Sequence, residues 1–449
     1  MPAQSFTTLL DFDLTNGGCA DYMGLVQATD GNFYGTTACG GVDGDGTVFK
    51  ITPKGALTTL YSFSGSDGKF PTGGLIQASD GNFYGTCSQG GAFETGTVFK
   101  ITAAGALTTL NSFENAGSEP IAGVVQGTDG NFYGATVYEG TFGYGTIFRM
   151  TPGGTLTTLH NFDNTDGWQP YGRLLQAADG NFYGTTLMGG GNGGGTIFKI
   201  TPKGAFTALY NFCAQSGCPD GENPNAGLIQ AADGNLYGTT FGGGSNSADC
   251  GGGCGTVFKI NSSGVFTSLL SFDGTHGSLP FAALVQATDG NFYEPTPSGG
   301  TTANGTIVKI TPDGALSTVH NFDGNDGNWA QGQLLQATDG TLYGTATLGG
   351  NFTDVCPAGC GTVFSLGVGL GPFVETQTSS GKVGAKVIIL GNNLTGSTGV
   401  TFNGTAAKFT VIRSTEISTT VPTGATTGRV EVTTPKRTLG SNAIFRVTK

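Results

Sequence analysis

The sequence predicts an all-β fold built from a repeated four-stranded unit. The segment Asp-Gly-Asn-Phe-Tyr-Gly, or a close variant, occurs seven times at a spacing close to fifty residues. Such a period in a strand-like sequence is typical of propeller blades or solenoid turns. Turn residues arrive at short intervals and no stretch has a convincing helical period. The copies begin at Asp30, Asp80, Asp129, Asp179, Asp233, Asp289 and Asp339.

Each unit divides into four strands, as the second unit illustrates. A short apolar run at 75–78 precedes the turn at 80–82, and an aromatic, β-branched run follows at 83–86. After a Gly-rich loop, residues 96–102 and 106–113 form two further runs separated by a turn at 103–105. We therefore expect four antiparallel strands in each unit.

The two ends of the repeat region predict a closed ring. Residues 6–12 match the fourth strand of a unit but precede the first Asp-Gly turn, whereas the seventh unit stops after its third strand at 361–366. If the N-terminal strand completes the last sheet, the ring closes and its terminal edges are removed. The prediction is a seven-bladed β-propeller over residues 1–370.

Antiparallel order sorts the connections onto two faces. The first-to-second and third-to-fourth turns are short and lie on one face, which we call the short-turn face. The second-to-third loops and the crossings between units are longer and lie on the other, the long-loop face. Binding residues tend to lie on loops held by a rigid scaffold, so the long-loop face is the expected functional surface.

Cysteine pairs coincide with insertions in these long connections. The fifth and seventh units carry extra residues with Cys250 and Cys254, and with Cys356 and Cys360; the longest crossing carries Cys213 and Cys218. We expect a disulfide in each pair; zinc is the competing interpretation, but no histidine accompanies them. Cys19 and Cys39 form a further candidate pair, which would leave Cys87 over.

Composition indicates an exported protein. Disulfides imply an oxidising compartment, and no apolar run is long enough to span a membrane. The chain starts directly with a strand, so we expect that a leader is absent from this sequence. An acidic chain with a pI of about 4.6 and few lysines argues against nucleic acid as a partner. The expected location is extracellular or at the cell surface.

A second module begins after Gly371. Short alternating runs, among them 387–394, 400–404 and 430–432, predict a small antiparallel sandwich over residues 371–449. Its Gly-x-Asn-Leu, Val-x-Phe-Asn-Gly and Val-Pro-x-Gly-Ala-Thr-Thr-Gly elements resemble the IPT/TIG family of immunoglobulin-like domains. The resemblance implies a spacer or interaction module without catalytic residues.

The repeat resembles the GloVer (Gloeo_Verruco) tandem repeats of exported bacterial proteins. The matching residues are Asp-Gly-Asn-Phe-Tyr-Gly-Thr-Thr, the following Gly-Gly, and Gly-Thr-Val-Phe-Lys-Ile-Thr-Pro, over about residues 5–370. The resemblance implies a cell-surface or secreted setting and no established activity. Members of the family have varied C-terminal sorting anchors, and residues 371–449 contain no apolar tail of that kind.

The two modules differ in charge. Residues up to 370 have a net charge of −18, and those from 371 onward a net charge of +6. The sandwich could therefore dock on the propeller or on an anionic polymer. Alternatively, both sets of charges are simply solvated.

Departures from the repeat supply the candidate binding residues. Immediately before the first strand, at the predicted mouth of the central channel, only Arg173 and Gln333 are long polar residues. Trp168 and Tyr171 lie just upstream of the first, and Trp329 upstream of the second. Aromatic faces beside hydrogen-bonding groups suit sugar recognition. Alternatively, the aromatics pack between blades and Arg173 pairs with an acidic loop.

Glu294 is a second kind of departure. The other six units have Gly at its position. A carboxyl group in a restricted site could act as a general acid or base, with Arg173 as the other catalytic candidate. Alternatively, Glu294 reflects relaxed packing in one degenerate unit, and no second carboxylate pairs with it.

Signals for metal and nucleophilic chemistry are weak. His160 and His320 occupy a fourth-strand position, and His276 has no evident partner. The segments 163–167 and 323–327 have oxygen-rich spacing that could hold Ca²⁺, but they suit Asx turns equally well. We therefore predict no metal site.

Three function classes follow. The first is an exported, non-catalytic binding protein that recognises a glycan or protein partner at the long-loop face. The second is a secreted polysaccharide lyase or glycoside hydrolase with its site at the channel mouth. The third is a structural scaffold of an envelope or matrix. Few and unpaired catalytic candidates favour the first.

Overall fold

The computed structural model describes residues 4–20, 24–114, 117–245, 250–352 and 354–448. Within these ranges all regular elements are β-strands and no helix occurs. The prediction of an all-β chain built from repeated four-stranded sheets is confirmed.

Consecutive strands form the repeated sheets. The chain opens with strand β1 (Ser5–Asp11). Six four-stranded sheets follow among the described residues. They are β2 (Val26–Gln27), β3 (Phe33–Thr37), β4 (Thr47–Ile51), β5 (Leu57–Ser62); β6 (Ile76–Gln77), β7 (Phe83–Cys87), β8 (Thr97–Ile101), β9 (Leu107–Ser112); β10 (Val124–Gln126), β11 (Phe132–Thr136), β12 (Thr146–Met150), β13 (Leu156–Asn161); β14 (Leu175–Gln176), β15 (Phe182–Thr186), β16 (Thr196–Ile200), β17 (Phe206–Asn211); β18 (Ile229–Gln230), β19 (Leu236–Thr240), β20 (Thr256–Ile260), β21 (Phe266–Ser271); and β22 (Val285–Gln286), β23 (Phe292–Thr296), β24 (Thr306–Ile310), β25 (Leu316–Asn321). We number these units one to six.

Unit seven is completed by the N-terminal strand. It contains β26 (Leu335–Gln336), β27 (Leu342–Ala346) and β28 (Thr362–Gly367), and its sheet order is β1-β28-β27-β26. Strand β1 runs antiparallel to β28, from Ser5 opposite Gly367 to Asp11 opposite Thr362. The N-terminal strand therefore occupies the fourth-strand position that the seventh unit lacks.

The repeated Asp-Gly turn is held by its own side chains. In unit two the Asp80 carboxylate accepts hydrogen bonds from the Asn82 amide N–H (3.0 Å) and from the Tyr84 hydroxyl (2.9 Å). Gly81 has a φ of 83°, in the left-handed region that glycine adopts without a Cβ penalty. Burial alone would raise the pKa of the Asp80 carboxyl, but these hydrogen bonds keep it below its usual value. The turn therefore requires Asp, Gly and Tyr for structural reasons.

Aromatic contacts join neighbouring sheets. The Tyr34 ring of unit one stacks on the Phe83 ring of unit two, with centroids 4.1 Å apart. Tyr84 contacts Phe132 of unit three in the same way at 4.2 Å. The Tyr343 ring of unit seven lies 4.2 Å from the Phe33 ring of unit one. The last sheet therefore packs on the first as the second packs on the third.

Glutamine side chains at the ends of the first strands link the same neighbours. The Gln77 carbonyl oxygen accepts a hydrogen bond from the Thr29 amide of the preceding unit at 3.0 Å. Equivalent bonds join all seven successive pairs of sheets in the described chain. Their acceptors are Gln77, Gln126, Gln176, Gln230, Gln286, Gln336 and Gln27.

The C-terminal strands form two four-stranded sheets around one apolar cluster, together with a parallel two-stranded sheet. The strands are β29 (Glu375–Thr376), β30 (Ser380–Lys382), β31 (Lys386–Leu390), β32 (Gly399–Phe402), β33 (Thr405–Ala406), β34 (Phe409–Arg413), β35 (Glu416–Thr420), β36 (Val430–Thr433), β37 (Thr438–Gly440) and β38 (Arg446–Thr448). The two sheet orders are β29-β31-β35-β34 and β33-β32-β36-β37. Ile389 and Ile417 of one sheet and Phe402 and Val432 of the other belong to the same buried cluster.

These C-terminal sheets contact the short-turn face of the repeat region through hydrogen bonds. The Thr415 hydroxyl donates to the Thr29 carbonyl of unit one at 2.7 Å. Asn442 donates to the Gln286 carbonyl of unit six at 2.8 Å. The ion pairs of the described residues do not connect the two parts, so the opposite net charges do not dock them by direct pairing.

Candidate functional site

The long-loop face is shaped by a backbone conformation that every unit repeats. In each crossing, one non-glycine residue has a φ between 50° and 58°. These residues are Cys19, Phe70, Glu119, Gln169, Asn223, Leu279 and Trp329. Because all seven units share this conformation, we attribute it to the chain path rather than to a site in one unit.

Disulfides stiffen the longest connections on this face, as the sequence predicts. The structure joins Cys213 to Cys218, Cys250 to Cys254 and Cys356 to Cys360. It also joins Cys19 to Cys39, the pairing that the sequence left open.

Cys87 is the cysteine that these pairs leave over. It is free and fully buried. Burial raises the pKa of its thiol, so it is inert as a nucleophile.

Arg173 and Gln333 lie immediately before the first strands of units four and seven. The Gln333 amide donates to the Leu284 carbonyl of unit six at 3.1 Å, which makes it a bridge between units. Within the described chain the Arg173 guanidinium has no ion pair or hydrogen bond, and desolvation lowers its pKa. Units four and seven are separated by two other units, and no hydrogen bond joins the two side chains within the described residues.

Trp168 belongs to a cluster at the junction of units three and four. Its ring meets the Tyr144 ring edge-on, with centroids 5.7 Å apart, and its backbone pairs with Met188. The Trp168 indole N–H is buried and has no acceptor. Tyr171 is half-buried in the same crossing. Trp168 therefore packs partly between loops, which agrees with the interpretation that the aromatic residues have a packing role. Its indole N–H nevertheless lacks a hydrogen-bond acceptor.

Trp329 is more exposed and stands apart. Its side chain is 45% exposed, and its backbone lies between Asn304 of unit six and Thr347 of unit seven. Trp329 aligns with Gln169 rather than with Trp168 in the repeat, so the two tryptophans are not equivalent. The structure does not bring them together.

Glu294 is enclosed in the core of unit six. Its side chain is 0% exposed, and neither carboxyl oxygen has a hydrogen-bond partner. Desolvation raises its pKa well above the usual value; the nearby Thr239 hydroxyl opposes the shift but donates its hydrogen bond to the Ala282 carbonyl at 3.4 Å. A carboxyl group without solvent access cannot exchange a proton with a substrate in this conformation.

A second substitution explains how Glu294 fits. In other units a phenylalanine ring on the third strand lies against the glycine, as Phe49 does against Gly35. Opposite Glu294 the strand carries Val308 instead. The smaller side chain leaves volume for the larger one, so the exchange conserves packing. This paired departure was readable in the sequence.

Loop tips carry aromatic residues that the sequence analysis missed. Phe93 and Phe142 occupy the same tip position in the adjacent units two and three and are 48% and 57% exposed. Other units have Asn192 or Thr302 at this position. With Tyr144 and Trp168 they form a run of aromatic residues across units two to four, which we call the aromatic arc.

Exposed apolar side chains concentrate on this face. Among described residues of the repeat region, eight large hydrophobic side chains are exposed, and only Val265 lies on the short-turn face. The others are Val42, Phe93, Phe142, Met188, Trp329, Phe352 and Val355. Exposed apolar groups gathered on one side of a protein are typical of an interaction surface.

The same face is strongly acidic. Its described loops contain sixteen Asp and Glu residues but only two basic ones, Lys69 and Arg173. On the short-turn face, by contrast, third-strand lysines lie near the Asp-Gly turns, as Lys309 does at 3.1 Å from Asp289. The long-loop face therefore repels anionic ligands.

An apolar cleft of about 560 Å³ lies where unit one meets unit seven. Leu14, Leu348 and the Cys19–Cys39 and Cys356–Cys360 disulfides line it.

The predicted oxygen-rich segments are used by turns. The Asp163 carboxylate accepts from the Thr165 amide at 2.9 Å and from the Thr165 hydroxyl at 2.6 Å, and Asp166 contacts His160 at 2.8 Å. The only metal-like group among the described side chains is Cys213, Cys218 and Glu222, whose two sulfurs are already joined. No described helix is long and apolar enough to cross a membrane.

The sheets and loops define a tandem-repeat protein with a propeller-like, all-β architecture. The Gloeobacter/Verrucomicrobia repeat model matches residues 1–125, 79–288 and 249–427. The chain therefore belongs to the Gloeobacter/Verrucomicrobia repeat family. No curated protein matches the sequence.

Solved structures show likeness of fold alone. A fungal alcohol oxidase of the AA5 family, in complex with copper, is 13% identical with a TM-score of 0.57, over 99% of each chain. The extracellular domain of the hybrid two-component system BT4673 from B. thetaiotaomicron is 10% identical with a TM-score of 0.51, over 86% of this chain and 45% of that one.

Proposed function

We propose that this chain is a seven-bladed propeller (1–370) followed by an immunoglobulin-like sandwich of the IPT/TIG type (371–449). The pairing of β1 with β28 and the glutamine bonds between successive sheets support a closed ring. The disulfides favour an extracellular or cell-surface location.

We further propose that it is a non-catalytic binding protein that recognises a neutral glycan on the long-loop face. The observation that carries this proposal is the aromatic arc, with two exposed phenylalanines on adjacent loop tips. Aromatic rings stack on the C–H faces of sugars. The acidic surroundings disfavour polyuronates, which are the substrates of polysaccharide lyases.

The enzyme alternative has less support. Glu294 is buried without a partner, while Arg173 lies at the rim of unit four, so the two catalytic candidates do not share a site.

A glycan array with wild type, Phe142→Ala, Trp168→Ala and Val265→Ala tests the binding proposal. We expect retention of a neutral glycan by wild type and by Val265→Ala, which removes an exposed apolar residue from the opposite face. Phe142→Ala and Trp168→Ala should bind about five- to tenfold more weakly, equivalent to about 1–1.4 kcal/mol. Equal binding by all four proteins would rule out the aromatic arc.

Assays for new reducing ends and for unsaturated products separate binding from turnover. Release of either product by wild type would contradict the non-catalytic proposal. Absence of both binding and turnover would favour the structural scaffold.

A further inference from the structure

The first strands of the seven units surround an enclosed space. Each is paired on one side only, to the second strand of its unit, so its free edge faces inward. Each also carries a half-buried aliphatic residue, one part of which packs against the buried cluster between its own sheet and a neighbouring sheet. These residues are Val26, Ile76, Val125, Leu175, Ile229, Val285 and Leu335. We infer that they form an apolar ring around the space, which depends on the closed architecture proposed above.

The C-terminal sheets close one end of this space. The Phe373 amide donates to the Thr338 carbonyl of unit seven at 3.1 Å. Four residues later, the Gln377 side chain donates to the Ala78 carbonyl of unit two at 3.2 Å. Units seven and two lie on either side of unit one, so the segment between these contacts passes across the ends of the first strands.

Glu375 lies in the middle of this segment. Extended backbone places alternate side chains on the same side, so Glu375 and Gln377 project together. Because Gln377 reaches the first strand of unit two, Glu375 faces the enclosed space.

The surroundings of Glu375 agree with this position. Glu375 keeps solvent-accessible surface, yet desolvation raises the pKa of its carboxyl to about 7. A group that keeps accessible surface although protein surrounds it lies at an internal space rather than on the outer surface.

Charged neighbours do not neutralise Glu375. Desolvation is the sole cause of its pKa shift. The Asp80 carboxylate of the facing turn is engaged by Asn82 and Tyr84, and Arg413 of the C-terminal sheets pairs with Glu416 at 3.0 Å. Arg173 stands at the other end of the first strands.

We propose that this space is a binding pocket for a primary alkylammonium ion, which pairs with the Glu375 carboxylate while its alkyl chain contacts the aliphatic ring. A single carboxylate suits a monovalent ammonium group, whereas Ca²⁺ requires six to eight oxygen ligands. The aliphatic ring matches an alkyl chain rather than a hydrated ion.

Calorimetric titration of the full chain with n-hexylammonium tests the pocket, with n-hexanol as the uncharged control. Only ionised Glu375 pairs with the cation, so affinity should fall about 30-fold between about pH 8.5 and about pH 5.5. Glu375→Gln should abolish binding at both pH values. Glu431→Gln, which changes an exposed carboxylate on β36, should behave as wild type.

Three results would overturn the proposal: no binding of hexylammonium to wild type at the higher pH, an affinity that Glu375→Gln leaves unchanged, or equal binding of hexanol. Thermal unfolding shows whether the Glu375→Gln variant is correctly folded. Glu375→Gln should melt no lower than wild type at the higher pH, because it removes an unpaired, desolvated charge.

Discussion

The Gln27 side-chain oxygen accepts a hydrogen bond of 2.9 Å from the Thr338 backbone amide, across 311 residues of sequence. This bond joins the first strand of unit one to the turn of unit seven. Equivalent bonds join the six remaining pairs of successive sheets. The bond at Thr338 is more deeply buried than these, because the Asn392 amide of the C-terminal sheets also donates to the Thr338 hydroxyl at 2.8 Å.

Gln27→Leu should weaken ring closure. The substitution leaves the buried Thr338 N–H without an acceptor, which costs about 1–3 kcal/mol of unfolding free energy. Gln126→Leu is the matched control, because the Ser79 amide that it frees is exposed and can bond to water. Urea unfolding should show the larger loss for Gln27→Leu. Equal losses of unfolding free energy would mean that the bond between Gln27 and Thr338 stabilises the protein no more than the bond between Gln126 and Ser79.

Glu294→Gln should change how stability depends on pH. The folded pKa of Glu294 is raised above its unfolded value of about 4.3, so the neutral form is favoured in the fold. The free energy of unfolding of wild type should therefore fall as pH rises above about 4.3, by up to about 1.4 kcal/mol per pH unit, until the folded pKa is reached. The variant lacks this contribution. Parallel pH profiles for the two proteins would contradict the buried placement of Glu294.

Glu294 and Val308 should be energetically coupled. Val308→Phe alone adds a ring to a filled space and should destabilise the protein by about 1–3 kcal/mol. The double change Glu294→Gly with Val308→Phe restores the pair of the other units and should recover that loss. A double-mutant cycle in urea measures the coupling. Additive effects would show that the two side chains do not share the space.

Thiol titration should find one free cysteine per chain, and only after the protein is unfolded. Eight of the nine cysteines are paired, and the Cys87 thiol is buried with a raised pKa. Ellman's reagent should therefore detect no thiol in the native protein and one per chain after unfolding without reductant. A native thiol, or more than one after unfolding, would contradict the pairing.

Binding at the long-loop face should discriminate by ligand charge. Retention of a neutral glycan should change little with ionic strength. An alginate or heparin chain should not be retained at low salt, because repulsion by the acidic loops is least screened there. Retention of the anionic chain that is lost on adding salt would show that Arg173, rather than the aromatic arc, dominates recognition.

Much of the framework was readable from the sequence because it depends on local pattern. The Asp-Gly turn, the aromatic and β-branched strands and the cysteine pairs within single connections each involve residues close in the chain. The match between residues 6–12 and a fourth strand also predicted the pairing with β28. The candidate binding residues were harder to judge, because position in a repeat does not reveal depth of burial, as Glu294 illustrates.

The sequence by itself determined the all-β class, the repeated unit and the strand that completes the last sheet, since aromatic and β-branched runs and fixed turn residues specify these locally. Only the tertiary structure decided which of the residues that depart from the repeat pattern share a surface. It separated Trp168 from Trp329, aligned Phe93 with Phe142 on neighbouring loop tips and joined Gln377 of the C-terminal sheets to Ala78 of unit two. These relations depend on how sheets distant in sequence pack against one another, and a linear pattern does not record that packing.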